Sequence, residues 1–479
     1  MPPARSALDL AADRSPRDRA LAFLLGRINF ERMPTVPYGR RQMKLDRMRQ
    51  LLNRLGNPDA GLPIVHVAGT KGKGSTSALV ASVIQAAGYQ TGLFCSPHLQ
   101  CMEERFAVGG ARATAEELVT LVARLRPVVE AFDHEADRTG DHSLSPTYFE
   151  LTTALALLHF AQRKVDLAVL EVGLGGRLDS TNVCQPAVTV ITSISKDHTK
   201  QLGSTLAKIA AEKAGIIKPG VPLYCGPLAA PAREVIAKIA QQHGCRMSEA
   251  GRDFQYRYRP PLGLDAGPSL GLLDFAGDVA GEYVDLRALP LRLVGDHQGA
   301  NAALAVAVCE ELRRQGWSIT GAATHAGLSE LTLPARIEVL RRRPAVVLDV
   351  AHNVASAAAL VDVLVTSFAC KERTLVLAVS LDKDVAGIVR TLLPCFQRVI
   401  LTAFQDNPRA VPVAMLREIV STELRKKDAP QAHVEVLEAP LPTDAWRQAK
   451  ALARSNELIC VTGSFFIAAE LRAEILAES

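Results

Sequence analysis

Residues 64–76 read Ile-Val-His-Val-Ala-Gly-Thr-Lys-Gly-Lys-Gly-Ser-Thr. The apolar run predicts a strand, the glycines at 69, 72 and 74 a tight turn, and the residues beyond them a helix. Glycines let the backbone turn sharply and bring its N–H groups close to phosphate oxygens. The helix N-terminus adds partial positive charge, and Lys73 adds a full one. The spacing G-x-x-G-K-G-S differs from the commoner G-x-x-x-x-G-K-[ST] loop but suits the same ligand. Three glycines around a lysine disfavour an ordinary turn. Gly72, Lys73, Gly74 and Ser75 are candidate phosphate contacts, with ATP the expected ligand.

Glu171 closes the apolar run Leu167–Val172 and precedes Gly-Leu-Gly-Gly-Arg177-Leu-Asp179-Ser-Thr-Asn182. A carboxylate at the carboxyl end of a parallel strand sits where open α/β sheets bind ligands, and could hold magnesium on nucleotide phosphates. Pairing with Arg177 is the alternative. His198 follows the next apolar run, Ala187–Thr192, in the same relative position, and Ser96 follows Thr91–Cys95. Both would reach the same sheet edge, unless Ser96-Pro97-His98 only forms a turn. Lys213 reads from periodicity as a solvated lysine in the last turn of a helix, without chemistry of its own.

Strands that position these groups are predicted at Ile64–Ala68, Thr91–Cys95, Leu167–Val172 and Ala187–Thr192, with helices at Leu151–Gln162 and Thr205–Ile217. The alternation implies βαβ units and a mostly parallel sheet. Ahead of it, Ala20–Leu55 has helical periodicity through Met43, Leu45, Met48, Leu51, Leu52 and Leu55. Residues 251–290 look like an irregular or small antiparallel excursion, Gly299–Leu312 a helix, and Gly327–Pro334 a connector. A second α/β series has strands at Ala345–Asp349, Thr374–Val379, Arg398–Thr402 and Leu458–Thr462. The expected domains are 1–334 and 335–479.

Composition narrows the class. At 48% hydrophobic and 22% charged, the chain of 479 residues suits a globular protein and not a disordered one. A net charge of +5 over this length does not call for nucleic acid. Nine cysteines, none spaced C-x-x-C, fit buried thiols in a reducing cytoplasm. No apolar run reaches the ~18 residues of a membrane helix, and the first residues lack a signal peptide's apolar core. A cytoplasmic monomer is the expectation.

Seven blocks, read in order, resemble the folylpolyglutamate synthase and dihydrofolate synthase family of the Mur ligase superfamily. They are VAGTKGKGST (67–76), SPHL (96–99) with ERF (104–106), TYFE (147–150), EVGLGGRLDSTN (171–182), DHTKQLGSTLAKIAAEKAGIIK (197–218), LPARIE (333–338) and DVAHN (349–353). The resemblance implies a phosphate-loop-containing Mur-ligase-like central domain and a C-terminal Rossmann-like α/β domain. It implies an ATP-dependent ligase that adds L-glutamate to dihydropteroate or folate through an acyl phosphate. Ser96, Glu171 and His198 would hold magnesium, and Lys73, His198 and Lys213 would be catalytic, with Lys213 carbamylated. Asn301, Arg336 and Asp349 would be further ATP contacts. Thr147, Tyr148, Phe149 and Glu150, with Leu178, Asp179 and Ser180, match segments lining the pterin-bearing substrate's site. Asn29–Met33 would help shape that pocket, His352 would face the glutamate, and Leu331–Ala335 would be a hinge.

Three positions depart from the family pattern: Lys71 for Asn, Ala335 for Gly, and Val354 for Pro. None removes a metal ligand or the phosphate lysine. A ligase acting on a nucleotide-linked cell-wall precursor would carry a further N-terminal domain, for which about 63 residues before the first strand are too few. A phosphate-loop switch or motor would show a basic stripe, and Arg341–Arg343, the short cluster in that region, reads as a solvated strand edge.

Overall fold

The computed structural model describes residues 15–31, 45–405, 407–426 and 434–478. Arg32, Met33 and Met43 lie outside these. The chain folds into two compact units. The first comprises residues up to Gln255 with Phe275–Asp285 and Asn301–Gly327; the second comprises Tyr256–Asp274, Leu286–Ala300 and Leu328–Ser479.

In the first unit, β1 (Ile64–Ala68), β2 (Thr91–Phe94), β3 (Phe106–Val108), β4 (Ala111–Arg112), β5 (Leu167–Glu171), β6 (Val188–Ile191), β7 (Leu223–Cys225) and β8 (Met247–Glu249) form one sheet. Its order is β4-β3-β2-β5-β1-β6-β7-β8. From β2 to β8 across the sheet every pairing is parallel, while β3 and β4 are antiparallel additions at one edge. Every residue of β1 and β5 is buried. Helices cover both faces of such a sheet, so its strands read as unbroken apolar runs instead of alternating ones. β1, lying centrally between β5 and β6, sends its carboxyl end to the crevice where open α/β sheets bind ligands.

The expected Ala20–Leu55 helix is two described helices, Pro16–Leu25 and Leu45–Arg54, the first ending at Gly26. Leu51 and Leu52 join Leu121, Leu125, Leu155 and Phe160 in a hydrophobic core of this unit. The returning segment Asn301–Gly327 completes the unit: Ser82 Oγ donates to the Gly327 carbonyl (2.8 Å), and the Tyr89 and Trp317 rings meet edge to face at 4.8 Å. Tyr224 donates to Glu311 at 2.8 Å.

Of the two alternatives for residues 251–290, the small sheet is the one found: β9 (Phe254–Arg259), β10 (Gly271–Val279) and β11 (Glu282–Leu291), in the order β11-β10-β9. The helix anticipated at Gly299–Leu312 runs Asp296–Arg314, and Gly321–Glu330 is helical, which shortens the connector to its last residues.

The second unit carries β12 (Glu338–Arg342), β13 (Ala345–Leu348), β14 (Arg373–Leu377), β15 (Arg398–Leu401), β16 (Glu435–Glu438) and β17 (Leu458–Thr462), in the order β12-β13-β17-β14-β15-β16. All pairings are parallel except that of the edge strand β12. The basic cluster does lie on that edge, but it is not simply solvated. Arg341 donates to the Ile475 carbonyl (3.0 Å) and lies over the Trp446 ring, and Arg342 donates to the Leu264 carbonyl. Among the described residues, no helix is long and apolar enough to cross a membrane.

Candidate active site

The phosphate loop leaves β1 at Gly69 and enters the helix Lys73–Ala86. Two of its glycines cannot be replaced cheaply. Gly69 has φ +152°, and a Cβ there would fall 1.9 Å from Thr192 Oγ1. Gly72 has φ +84°, and its Cβ would fall 2.2 Å from Asn301 Oδ1, so Asn301 lies directly against the loop. The loop is held from the end of β6. Thr192 Oγ1 donates to the Lys71 carbonyl (2.6 Å), Ser193 Oγ accepts from Lys71 N (3.0 Å), and Thr70 N donates to the Ser193 carbonyl (2.8 Å). Thr192 and Ser193 escaped the sequence reading, although their place at the end of a buried strand was a usable signal.

No side chain caps the N-terminus of Lys73–Ala86. Its first N–H groups have no acceptor within the helix, which makes this end a site for an anion. Lys73 Nζ lies 3.8 Å from Glu171 Oε1, and Glu171 Oε2 accepts from Ser96 N at 3.2 Å. Arg177 pairs with Glu212 at 2.8 Å. Lys71 is paired and does not face solvent alone: its Nζ is 2.8 Å from Asp197 Oδ2.

Lys213 departs most from its sequence reading. It is 5% exposed, and its Nζ donates to the Gly69 carbonyl at 2.7 Å. The last turn of helix Leu206–Ala214 lies against the phosphate loop, which a periodicity argument cannot reveal. Burial, helped by the nearby Lys73, lowers the amine pKa to about 7. A small cleft is lined by Gly69, Lys73, Gly173, Leu174, His198 and Lys213. His198, half exposed with φ +48°, begins the short helix Thr199–Leu202 at the mouth of this cleft.

Among the described residues, no three His, Cys, Asp or Glu converge as a metal cage. Magnesium seldom uses one; it takes one or two carboxylates and fills its remaining positions with phosphate oxygens and water. A buried carboxylate beside Ser96 and an open anion site is that kind of donor set.

The residues matched to the substrate's wall divide into two kinds. Thr147 and Glu150 form the capping box that starts helix Tyr148–Gln162, and Glu150 also pairs with the buried Arg47 at 2.8 Å. Tyr148 is buried, with its hydroxyl 3.7 Å from Met102 Sδ. Ser180 Oγ is 2.8 Å from Thr153 Oγ1, and Asp179 accepts four hydrogen bonds. Phe149 and Leu178 remain partly exposed, and the Phe149 ring lies so close to Gly173 that a Cβ there would be 2.5 Å away.

In the second unit, Arg336, Asp349 and His352 gather near the carboxyl end of β13. Asp349 accepts from Ile337 N (2.9 Å) and Ala351 N (2.7 Å). Burial raises its carboxyl pKa, against the pull of the Arg336 guanidinium. Arg336 lies over the Phe465 ring at 5.1 Å, and His352 is 5.8 Å from the same ring. Ala335 has φ +52°, a left-handed conformation that accounts for the glycine usual there. Val354 is the first residue of helix Val354–Ser367, where proline is favoured.

Comparison with known proteins places this arrangement. Residues 67–309 match the Mur ligase middle domain, and residues 335–465 match the Mur ligase glutamate ligase domain. The dihydrofolate synthase/folylpolyglutamate synthase of Bacillus subtilis is 34% identical over 444 residues, covering 89% of this chain and 94% of that protein. The folylpolyglutamate synthase of Lacticaseibacillus casei is 33% identical over 434 residues, covering 90% of this chain and 94% of its own. The structure of Mycobacterium tuberculosis folylpolyglutamate synthase complexed with ADP superposes with a TM-score of 0.82 at 31% identity, over 96% of this chain and 98% of that one. Escherichia coli FolC in complex with DHPP and ADP gives 0.78 at 29%, over 98% and 99%. With its phosphate loop, its buried lysine and these relatives along almost its whole length, the chain belongs to the folylpolyglutamate synthase and dihydrofolate synthase family of Mur ligases.

Proposed function

We propose that this chain is an ATP-dependent ligase joining L-glutamate to the carboxylate of dihydropteroate, to the γ-carboxylate of a tetrahydrofolate, or to both. The observation that carries the reading is the cleft itself. A cation, Lys73, and an uncapped helix N-terminus stand beside a buried amine and a buried carboxylate, at the crevice of a parallel sheet. The folate-ligase names of its relatives, and the ADP bound in two of the similar structures, point the same way.

The acceptor's carboxylate oxygen attacks the γ-phosphorus of ATP, the bond to the β-phosphate oxygen breaks, and ADP leaves an acyl phosphate. The amine of glutamate attacks the acyl carbon, phosphate departs with the C–O bond's electrons, and the amine loses a proton. Two anions must approach in the first step. Lys73 and the N–H groups at Gly72–Ser75 offset that repulsion from fixed positions, and Asn301 orients the loop and its nucleotide. Magnesium would be held by Glu171, Ser96 and His198, where it supplies charge neutralisation on the phosphates.

Lys213 serves as a carbamate in this reading. The ammonium first gives up a proton; the neutral amine then adds to CO₂, an N–C bond forming as one C=O π pair moves onto oxygen, and a second proton leaves, so a cation becomes an anion. The low amine pKa supports this, because only the neutral amine reacts. The carbamate nitrogen keeps one N–H, enough to retain the bond to the Gly69 carbonyl.

We read residues 1–334 as the ATP-binding part and 335–479 as the glutamate-ligase part; the match beginning at residue 335 supports that cut. Arg336 and Asp349 would contact ATP, and His352 would face glutamate. Phe149 and Leu178 would touch the pterin, on a wall organised by Thr147, Tyr148, Glu150, Asp179 and Ser180. A cytoplasmic monomer without a nucleic-acid or membrane partner completes the reading.

The test is ATP turnover with magnesium and L-glutamate, comparing dihydropteroate with tetrahydrofolate and identifying products by mass. Glutamate-dependent product with either acceptor sustains the reading and says which activity is present. None with either overturns it.

A further inference from the structure

His66 stands in the middle of β1, three residues before the phosphate loop, and is fully buried. Its Nε2 lies 2.8 Å from Thr181 Oγ1, which is itself 2.5 Å from Asp179 Oδ1. Asp179 Oδ1 also accepts from Thr181 N at 3.0 Å. Its other oxygen accepts from Gly173 N and Leu174 N, each at 3.0 Å. Gly173 and Leu174 line the cleft beside Lys73 and Lys213.

The direction of this chain follows from counting protons. Burial raises the carboxyl pKa of Asp179, but four donors occupy both of its oxygens, an arrangement that suits the carboxylate, since a proton on either oxygen would displace a donor. The Thr181 hydroxyl has one hydrogen, and the carboxylate takes it. Its oxygen is then an acceptor toward the ring, so His66 Nε2 carries the proton. His66 Nδ1, buried without a hydrogen-bond partner, is the bare nitrogen of that tautomer. Burial, with Lys218 nearby, keeps the ring neutral, its pKa lowered to about 3.

We propose that His66 and Thr181 are positioning residues: acting through Asp179, they fix the Gly173–Leu174 wall of the cleft against which the acceptor lies. The proposal rests on the functional reading above for the identity of the acceptor, but the hydrogen-bond relay does not. Strand pairing sets the height of β5 against β1, with His66 opposite Leu170. It does not reach the loop at Gly173 and Leu174, where Asp179 gathers two N–H groups. His66 and Thr181 supply the fixed end of that tether from the central strand.

The test compares His66→Gln and Thr181→Ser, which keep a donor and a hydroxyl, with His66→Leu and Thr181→Val, which do not. Losing a hydrogen bond on a path to a charged group predicts a rise of about tenfold in KM for the acceptor in the latter pair, with KM for ATP within about twofold. The conservative pair should stay within about threefold of the parent enzyme on both. Unchanged acceptor KM in His66→Leu and Thr181→Val would overturn the proposal. So would a parallel rise in KM for ATP, or equal losses in the conservative pair. Nitrogen-15 spectra of the parent protein provide a readout independent of turnover: His66 should be neutral and protonated at Nε2 from about pH 8 to about pH 5. A proton on Nδ1 overturns the relay. Absence of turnover with a correct tautomer instead indicts the functional reading.

Discussion

Replacing Gly72 by alanine tests how far the phosphate loop is pre-built. At φ +84° an L-residue pays roughly 1–2 kcal/mol. The new Cβ would also sit 2.2 Å from Asn301 Oδ1, a distance no pair of such atoms tolerates, so the amide must swing away. Displacing it forfeits roughly another 1 kcal/mol of hydrogen bonding. The sum, about 2–3 kcal/mol, corresponds to roughly 30- to 150-fold in an equilibrium constant. It divides between the free enzyme, as lowered stability, and the nucleotide complex, as raised KM for ATP. Urea unfolding without nucleotide and steady-state kinetics in ATP together recover both shares. In Gly72→Ala/Asn301→Ala the backbone strain and the loss of the amide's hydrogen bonding remain, but that loss is counted once instead of twice, so the two effects should combine less than additively by about 1 kcal/mol. A Gly72→Ala enzyme with parental stability and parental KM for ATP would refute the reasoning. Full additivity would refute the collision.

Three further outcomes are expected. Lys213 binds its proton less tightly in the folded chain (about 7) than in the unfolded one (10.5), so stability should rise with pH between those values. In CO₂-free buffer the gain from pH ~7 to ~9 should be on the order of 2 kcal/mol and should vanish in Lys213→Met; a parental slope in that variant would contradict it. Ala335→Val puts a β-branched residue at φ +52° in a buried position and should cost about 2 kcal/mol in urea unfolding, while Ala335→Gly stays close to the parent. An undiminished unfolding midpoint in the valine variant would count against the strain. Val354→Pro should raise stability by about 0.5–1 kcal/mol, because Asn353 already has the extended conformation (φ −153°, ψ 167°) that precedes proline; a lower melting temperature would show otherwise.

The strands that carry the site were legible because they are buried on both faces. Ile64–Ala68 and Leu458–Thr462 could be delimited to the residue, and the others to within one or two, since an unbroken apolar run has few other uses. The edge strands β12 and β16 were not legible. Glu-Val-Leu-Arg-Arg and Glu-Val-Leu-Glu offer no apolar run, and what orders them is a neighbouring strand. At the site, residue type and strand-end position were enough to nominate Lys73 and Glu171. Lys213 was opaque to periodicity, which says which face a helical residue occupies but not what lies over it; only the family resemblance marked it. The chemistry assigned to Thr147, Tyr148 and Glu150 by resemblance meets a structure that gives each a task within the fold, and spacing alone has no means of separating those tasks.

The course of the chain has a consequence for its synthesis. The phosphate loop is made early, at residues 69–75, yet Asn301, which lies against it, and Gly327, which takes the hydrogen bond from the middle of its helix, emerge more than two hundred residues later. Between them the ribosome has already produced Tyr256–Asp274 and Leu286–Ala300, which belong to the other unit. The nascent protein therefore cannot finish one half before starting the other, and a chain stalled or cleaved before residue 327 holds an unsealed nucleotide loop. The contacts that seal the nucleotide loop thus become available only once residue 327 of the 479 has been made.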